Sequence, residues 1–297
     1  MAHIPVLLEE SLYYLRPRPG DKFIDATFGE GGHSLALWEM IKPHGEILAF
    51  EWDPELFQKG LERISSLKPM PKIKLVNKNF NEIERVVKEE KFECIKGVIF
   101  DLGLSSYHYD EAKRGFAFKQ NEFLDMRINP NDIKITAFEV VNYFSKSELV
   151  RILKNYGEER RAEKIAEKII EARKKKKIET TQELKELVDQ VYKGRRGKIH
   201  PATKTFLALR TFINQELENL NKGLEGAFNV LEQGGRIVII SFHGLEDKVI
   251  KEKIKKWKKE KRIILITKNV VRPKREEIKQ NPRARSAKLR AIEKLNG

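Results

Sequence analysis

Apolar residues in the first hundred positions fall in short blocks of strand length, separated by stretches of helical period. Phe23-Ile24, Glu46-Ile-Leu-Ala-Phe50, Lys72-Ile-Lys-Leu-Val76 and Gly97-Val-Ile-Phe-Asp-Leu102 read as four strands. Helices are predicted from Ser34-Leu-Ala-Leu-Trp38 onward and over about 54 to 67 and 81 to 91, which gives the rhythm of a parallel α/β sheet. Strand signals then stop from about 106 to 213. There Ala162, Ile165, Ala166, Ile169 and Ile170 share one helix face, and Leu184, Leu187, Val188 and Val191 share another after a Thr180-x-x-Glu183 capping box. A long helix over about 202 to 231 is expected next. It leads into the turn and buried strand of Gly234-Gly-Arg-Ile-Val-Ile-Ile-Ser-Phe242, with Arg262-Ile-Ile-Leu-Ile-Thr267 as a further strand. The pattern predicts a sheet domain built from residues 1–105 and 214–297, interrupted by a helical insert at 106–213. The insert leaves at the carboxyl end of the fourth strand, where open α/β sheets bind ligands, so it is expected to wall the site and select the substrate.

The segment Asp25-Ala-Thr-Phe-Gly-Glu-Gly-Gly-His33 joins the first strand to its helix, and Glu51-Trp-Asp-Pro54 follows the second. In a βαβ unit a carboxylate at Glu51 lies beside the glycine-rich turn and can accept hydrogen bonds from both hydroxyls of a ribose. The turn is a poor diphosphate fingerprint, because Ser34 stands where the third glycine of G-x-G-x-x-G would fall and Asp25 precedes the turn. Carboxylates attract a sulfonium or ammonium and repel phosphate, which favours S-adenosylmethionine over a nicotinamide dinucleotide. The ligand's carboxylate would sit on backbone N–H groups at the helix start near Gly32 and His33.

Charge adds a partner. The chain of 297 residues carries a net +15, and residues 251 to 294 hold 18 Lys or Arg against 5 Asp or Glu. Such a segment is an electrostatic footprint for nucleic acid, although Lys-rich solvated surfaces also accompany growth at high temperature. Lys193-Gly-Arg-Arg-Gly-Lys198, Lys204, Arg283 and Arg285 are the candidate phosphate contacts. Cys94 is the single cysteine and the six histidines show no ligand spacing, so neither a disulfide nor a metal is expected. No apolar run reaches membrane-spanning length, and Met1-Ala-His-Ile-Pro-Val-Leu-Leu-Glu-Glu10 lacks the features of a signal peptide; a cytoplasmic enzyme without membrane association is expected. The oligomeric state is not set by these features.

Longer motifs carry a resemblance along nearly the whole chain. They are His3-Ile-Pro-Val-Leu-Leu-Glu9, Asp25 to Ser34, Asp101-Leu-Gly-Leu-Ser-Ser106, Arg114-Gly-Phe-Ala-Phe118 and Leu124-Asp-Met-Arg127, followed by Tyr156-Gly-Glu-Glu-Arg160, His200-Pro-Ala-Thr-Lys-Thr-Phe206, Ser241-Phe-His-Gly-Leu-Glu-Asp247 and Asn281-Pro-Arg-Ala-Arg-Ser286. In these the chain resembles the RsmH (MraW) family of bacterial 16S rRNA cytosine-N4 methyltransferases. The resemblance implies a Rossmann-like class I S-adenosylmethionine-dependent methyltransferase sheet with an inserted all-helical domain. It also implies methylation of N4 of the cytidine at position 1402 of 16S rRNA in the 30S ribosomal subunit. It carries cofactor contacts onto Gly31, Gly32, His33, Glu51, Phe80, Asp101 and His108. Relatives usually have Asp where Glu51 stands, Gln at His108 and Pro at Phe123, so ribose geometry and the last contact depart from the family pattern.

Asp101, at the end of the fourth strand, is the candidate catalytic residue: an acceptor aimed at the cytosine amine would favour the tetrahedral nitrogen that attacks the methyl group. Its alternative role is to hold the cofactor or the loop. Phe80 is placed to cover the adenine, or to pack in the core. Tyr107, Phe116 and Phe118 would grip an unstacked base or seal the insert, Asp125 and Arg127 would order the loop, and His243 is expected to make a structural hydrogen bond. Three other functions remain open at this point: a DNA cytosine-N4 methyltransferase, a nicotinamide-dependent oxidoreductase, and a non-enzymatic rRNA-binding assembly factor.

Overall fold

A computed structural model describes residues 5–193 and 200–295. His3 and Ile4 of the first motif and Gly194 to Lys198 of the central basic run lie outside them. In chain order the fold begins with α1 (Leu8–Leu15), β1 (Lys22–Asp25), α2 (Gly32–Ile41), β2 (Glu46–Phe50), α3 (Pro54–Ser66), β3 (Ile73–Val76), α4 (Ile83–Glu89) and β4 (Ile95–Asp101). Helices follow without a strand: α5 (Ser106–Asp110), α6 (Ala137–Tyr143), α7 (Lys146–Gly157), α8 (Ala162–Arg173), α9 (Thr181–Tyr192), α10 (Ala202–Ile213) and α11 (Glu216–Val230). The last elements are β5 (Leu231–Ser241), α12 (Gly244–Lys259), β6 (Ile263–Leu265), α13 (Arg275–Gln280) and β7 (Lys288–Lys294). The chain divides into two compact units, one formed by Met1–Gly103 with Leu217–Gly297, the other by Leu104–Glu216.

The first unit is an α/β fold. Among the described residues it holds one sheet in the order β3-β2-β1-β4-β5-β7-β6. The strands from β3 to β5 run parallel, while β7 is antiparallel to both β5 and β6. Both faces of β1, β2, β4 and β5 are buried over most of their length, which explains their nearly continuous apolar runs. The register aligns the carboxyl ends: Asp25 of β1 stands opposite Ala49 of β2 and Ile99 of β4, and Asp101 opposite Ile240 of β5. At the start of α3, the Asp53 carboxylate accepts hydrogen bonds from the backbone N–H of Glu55 and Leu56, with Pro54 at the first helical position.

Two features differ from the sequence-based expectation. The long helix over 202 to 231 is two helices, because Gln215 takes a left-handed backbone conformation (φ 49°) after Asn214, whose side chain donates to the carbonyls of Arg210 and Met126 and accepts from the N–H of Ile128. The basic C-terminal segment is also a structural part of the sheet. β7 lies between β5 and β6, burying Leu289, Ala291 and Ile292, while Asp247 on α12 accepts from Arg290 at 3.0 Å and Lys288 at 3.4 Å. Lys294 Nζ donates to the carbonyls of Phe228 and Leu231, the first of these near the end of α11.

The second unit has its own apolar core. Leu124, Met126, Val140, Leu149, Ile152, Ile165, Ile169, Leu184 and Leu209 are among its buried members. Capping boxes at Thr136, Ser145 and Thr180 start α6, α7 and α9. Among the described residues no helix is long and apolar enough to cross a membrane.

In the first unit Trp257 is fully buried and stacks on Phe228 at 4.6 Å between centroids. Trp257→Ala is expected to destabilise the protein by about 3–5 kcal/mol, measured by chemical denaturation.

Candidate functional site

The glycine-rich segment after β1 is shaped by contacts that only glycine permits. Gly31, the N-cap of α2, has φ 78°, and a Cβ there would come within 2.6 Å of the Phe28 ring. A Cβ at Gly32 would meet the Pro5 ring at 2.3 Å. These two residues let the chain turn into α2, whose first N–H groups carry the positive end of the helix dipole.

Asp25, buried at the end of β1, accepts from Thr27 N–H at 3.0 Å and from the Ser34 hydroxyl at 2.7 Å. Its carboxyl is pushed up to about 6 by burial, against those hydrogen bonds. Asp25 therefore fastens the loop onto α2; the sequence suggested it instead as a counter-charge for a cationic ligand. Thr27 makes a second tie that sequence reasoning missed, its hydroxyl accepting the N–H of Asp101 at 2.7 Å.

Glu51 follows β2. One of its carboxylate oxygens accepts from Gly29 N–H at 2.9 Å and the other from Asp53 N–H at 2.8 Å. Asn77, also absent from the sequence reading, donates to the Glu51 carbonyl and steadies the backbone. Burial pushes the Glu51 carboxyl up to about 8, with Asp53 and Asp25 adding like charge. Each oxygen keeps a second lone pair for a ligand hydroxyl.

Asp101 ends β4. Its Oδ2 lies 3.7 Å from His33 Nδ1, while His33 Nε2 is 3.1 Å from the Val6 carbonyl and so carries the ring proton there. Burial first, then the charges of Asp25, Glu246 and Glu277, holds its carboxyl well above the usual range. Among the described residues the buried Asp101 Oδ1 has no hydrogen-bond partner.

The structure thus links Gly31, Gly32 and His33 to Glu51 and Asp101 through Thr27, Gly29 and the aligned strand ends. Phe80, half-buried after β3, sets its ring edge-on to Phe100, the neighbour of Asp101, and lies over Gly223 in α11, where a Cβ would approach it to 2.5 Å. His108 belongs to the second unit, buried with Nδ1 3.0 Å from the Ser105 hydroxyl and its ring edge-on to Tyr107 and Phe116. Phe118 packs on His200 and Phe206, so these aromatics are built into the helical core. Asp125 and Arg127 form an ion pair at 2.7 Å, and Arg114 donates to the carbonyls of Arg127 and Ile128. His243 Nε2 lies 3.0 Å from Glu246 Oε1 in the first turn of α12.

Buried carboxylates raised by desolvation, beside an amide-lined helix start, suit a ligand with a cationic centre and its own carboxylate. A diphosphate would bring negative charge against them. The description "MraW methylase family" matches residues 1–295. The chain belongs to the MraW methylase family. Two relatives called ribosomal RNA small subunit methyltransferase H illustrate the family: one from Caldicellulosiruptor saccharolyticus is 41% identical over 99% of both chains, and one from Persephonella marina is 42% identical over 99% of both. The solved structure of the protein PH0851 aligns with a TM-score of 0.50 at 13% identity over 99% of this chain and 46% of that one, a likeness of fold alone. Use of S-adenosylmethionine follows from membership of this methyltransferase family, and Gly31, Gly32, Glu51 and Asp101 present chemistry that fits it.

The raised carboxyl of Glu51 has a measurable consequence. The unfolded chain ionises it near its ordinary value of 4.5, whereas the folded protein holds the proton up to about 8, so stability without cofactor falls as pH rises across that interval. Thermal midpoints measured without ligand between about pH 5 and about pH 8 should decline, and Glu51→Gln should flatten the slope; an unchanged slope in the variant would refute the assignment.

Proposed function

We propose that this chain transfers a methyl group from S-adenosylmethionine to N4 of a cytidine of 16S rRNA, the cytidine at position 1402, in the small ribosomal subunit. One observation carries the assignment of chemistry: the buried, unpartnered Oδ1 of Asp101 at the end of β4. A buried carboxylate oxygen without a donor is an acceptor waiting for one, and the exocyclic amine of cytosine carries two N–H donors. The names of the relatives support the RNA substrate.

In this reading the first N–H groups of α2, at Gly32 and His33, take the cofactor's carboxylate, and Glu51 takes its ribose hydroxyls. Phe80 covers the adenine, and His108 supplies the further contact that the family pattern implies. When bound, S-adenosylmethionine supplies a methyl group on a cationic sulfur, whose charge also favours the ionised forms of Asp101 and Glu51. Ionised Asp101 accepts a hydrogen bond from N4, concentrates the lone pair on that nitrogen and stabilises the positive charge that develops there. His33, fixed by the Val6 carbonyl, lies beside the Asp101 carboxyl. No dedicated base is needed, since the cationic product nitrogen loses its proton readily. The helical unit selects the substrate, and Lys193, Lys204, Arg283 and Arg285 contact phosphates, which positions the RNA without reading bases.

Unmodified 30S subunits incubated with labelled S-adenosylmethionine and mapped by mass spectrometry should carry label on N4 of one cytidine, with duplex DNA unlabelled. Asp101→Asn should lower kcat on the order of 100-fold. Label on a ring carbon, on ribose or on DNA would overturn the substrate assignment, and an Asn variant at the parental rate would overturn the role of Asp101.

A further inference from the structure

The helical unit displays aromatic rings on its surface that its core does not use. Phe123 is 48% exposed and Tyr143 61% exposed, although both are large and carry apolar faces. They are joined through the half-buried Phe138, which stacks on Phe123 at 5.4 Å (interplanar angle 28°) and meets Tyr143 edge-on at 6.1 Å. Lys177 sets its ammonium 4.1 Å over the Tyr143 ring.

The framework behind these rings is rigid. Phe123 pairs with Thr180 in an isolated bridge, flanked by hydrogen bonds from Leu124 N–H to the Glu179 carbonyl and from Thr181 N–H to the Glu122 carbonyl. Phe138 N–H donates to the Leu124 carbonyl. The Asn142 side chain donates to the Ile178 carbonyl and accepts from Ile178 N–H, which ties the turn carrying Lys177 to α6. The charges fit a polyanion. Lys174, Lys175 and Lys177 are exposed in one short turn with Glu179 as the exposed carboxylate beside them, Lys176 pairs with Glu183, and the carboxylates of Glu122 and Glu139 are occupied by N–H groups of Gly115 and Thr136.

We propose that Phe123, Phe138, Tyr143 and Lys177 form a stacking platform for unpaired RNA bases, with the lysines of the 174–177 turn on the phosphates. This rests on the reading of the chain as an enzyme acting on RNA, and it adds a contact site to the helical unit. Every base offers a π face to an exposed ring, so the platform grips a single strand without selecting its sequence. Protein interfaces are depleted in lysine, so a ring faced by one lysine beside others favours nucleic acid over a protein partner.

The probe is a fluorescent single-stranded oligoadenylate of about 12 nucleotides, titrated against the full chain and followed by anisotropy. Phe123→Ala combined with Tyr143→Ala should weaken binding by about tenfold or more. Phe123→Tyr combined with Tyr143→Phe should restore it. With 30S subunits, the alanine pair should raise KM and leave kcat and cofactor affinity unchanged. If the pair lowers the thermal midpoint, Tyr143→Ala alone replaces it. A folded alanine variant that binds the oligonucleotide as the parent does overturns the proposal. So does a loss confined to intact 30S subunits and absent with both oligonucleotide and protein-free 16S rRNA, which would assign the rings to a ribosomal protein. The oligonucleotide arm needs no catalysis: ring-dependent binding by a chain that methylates no RNA would uphold the platform and sink the proposed reaction, whereas methylation with ring-independent binding would sink the platform alone.

Discussion

Carboxylates at or just past the ends of three neighbouring strands, Asp25 on β1, Glu51 after β2 and Asp101 on β4, are withdrawn from water, the first two almost wholly and Asp101 to a lesser degree. Desolvating a carboxylate is unfavourable by several kcal/mol unless a proton, a donor or a cation compensates it. The three solve this differently. Asp25 is compensated by the Thr27 N–H and the Ser34 hydroxyl, Glu51 by one backbone N–H on each oxygen, and Asp101 Oδ1 by no donor among the described residues. The gradient from fully engaged to partly orphaned runs from the group that holds the loop together to the group with free accepting capacity. The parallel register produces it, because it brings the strand ends level and the carboxylates with them.

Much of this was legible in the sequence because each feature depends on local chemistry. The blocks around Phe23, Ile47 and Val98 are buried on both faces and therefore read as strands without ambiguity, and the capping box at Thr180 forms between residues three apart. β7 was hidden by its charge. Lys288, Arg290 and Lys294 suggest a solvated tail until Asp247 and the carbonyls of Phe228 and Leu231 are seen to receive them, and those partners are 40 or more positions away. The break at Gln215 was invisible for a similar reason: at the helix end Asn214 also bonds Met126 and Ile128, which no local pattern announces.

Within the site, the sequence pointed to Glu51 and Asp101 but not to the residues that set their environment. Thr27 and Asn77 act through backbone hydrogen bonds whose partners lie on other strands, and the Val6 carbonyl that orients His33 comes from the segment before α1. The aromatics after Arg114 illustrate the opposite limit. Phe116 and Phe118 were candidates either to grip a base or to seal the insert; one is buried beside His108 and the other is packed on Phe206, whereas Phe123, five residues further on, faces solvent. Exposure, which decides between packing and recognition, is a property of the assembled helices and has no signature in the spacing of the rings.

The position of β7 also fixes the order in which the sheet can be completed. β5 and β6 are neighbours in the chain but not in the sheet; each hydrogen-bonds to β7, which follows both. A chain emerging from its N-terminus therefore carries β5 with one flank unpaired while α12, β6 and α13 are still being made. An open strand flank of that kind can recruit another polypeptide. That flank of β5 is closed only when β7 adds between β5 and β6.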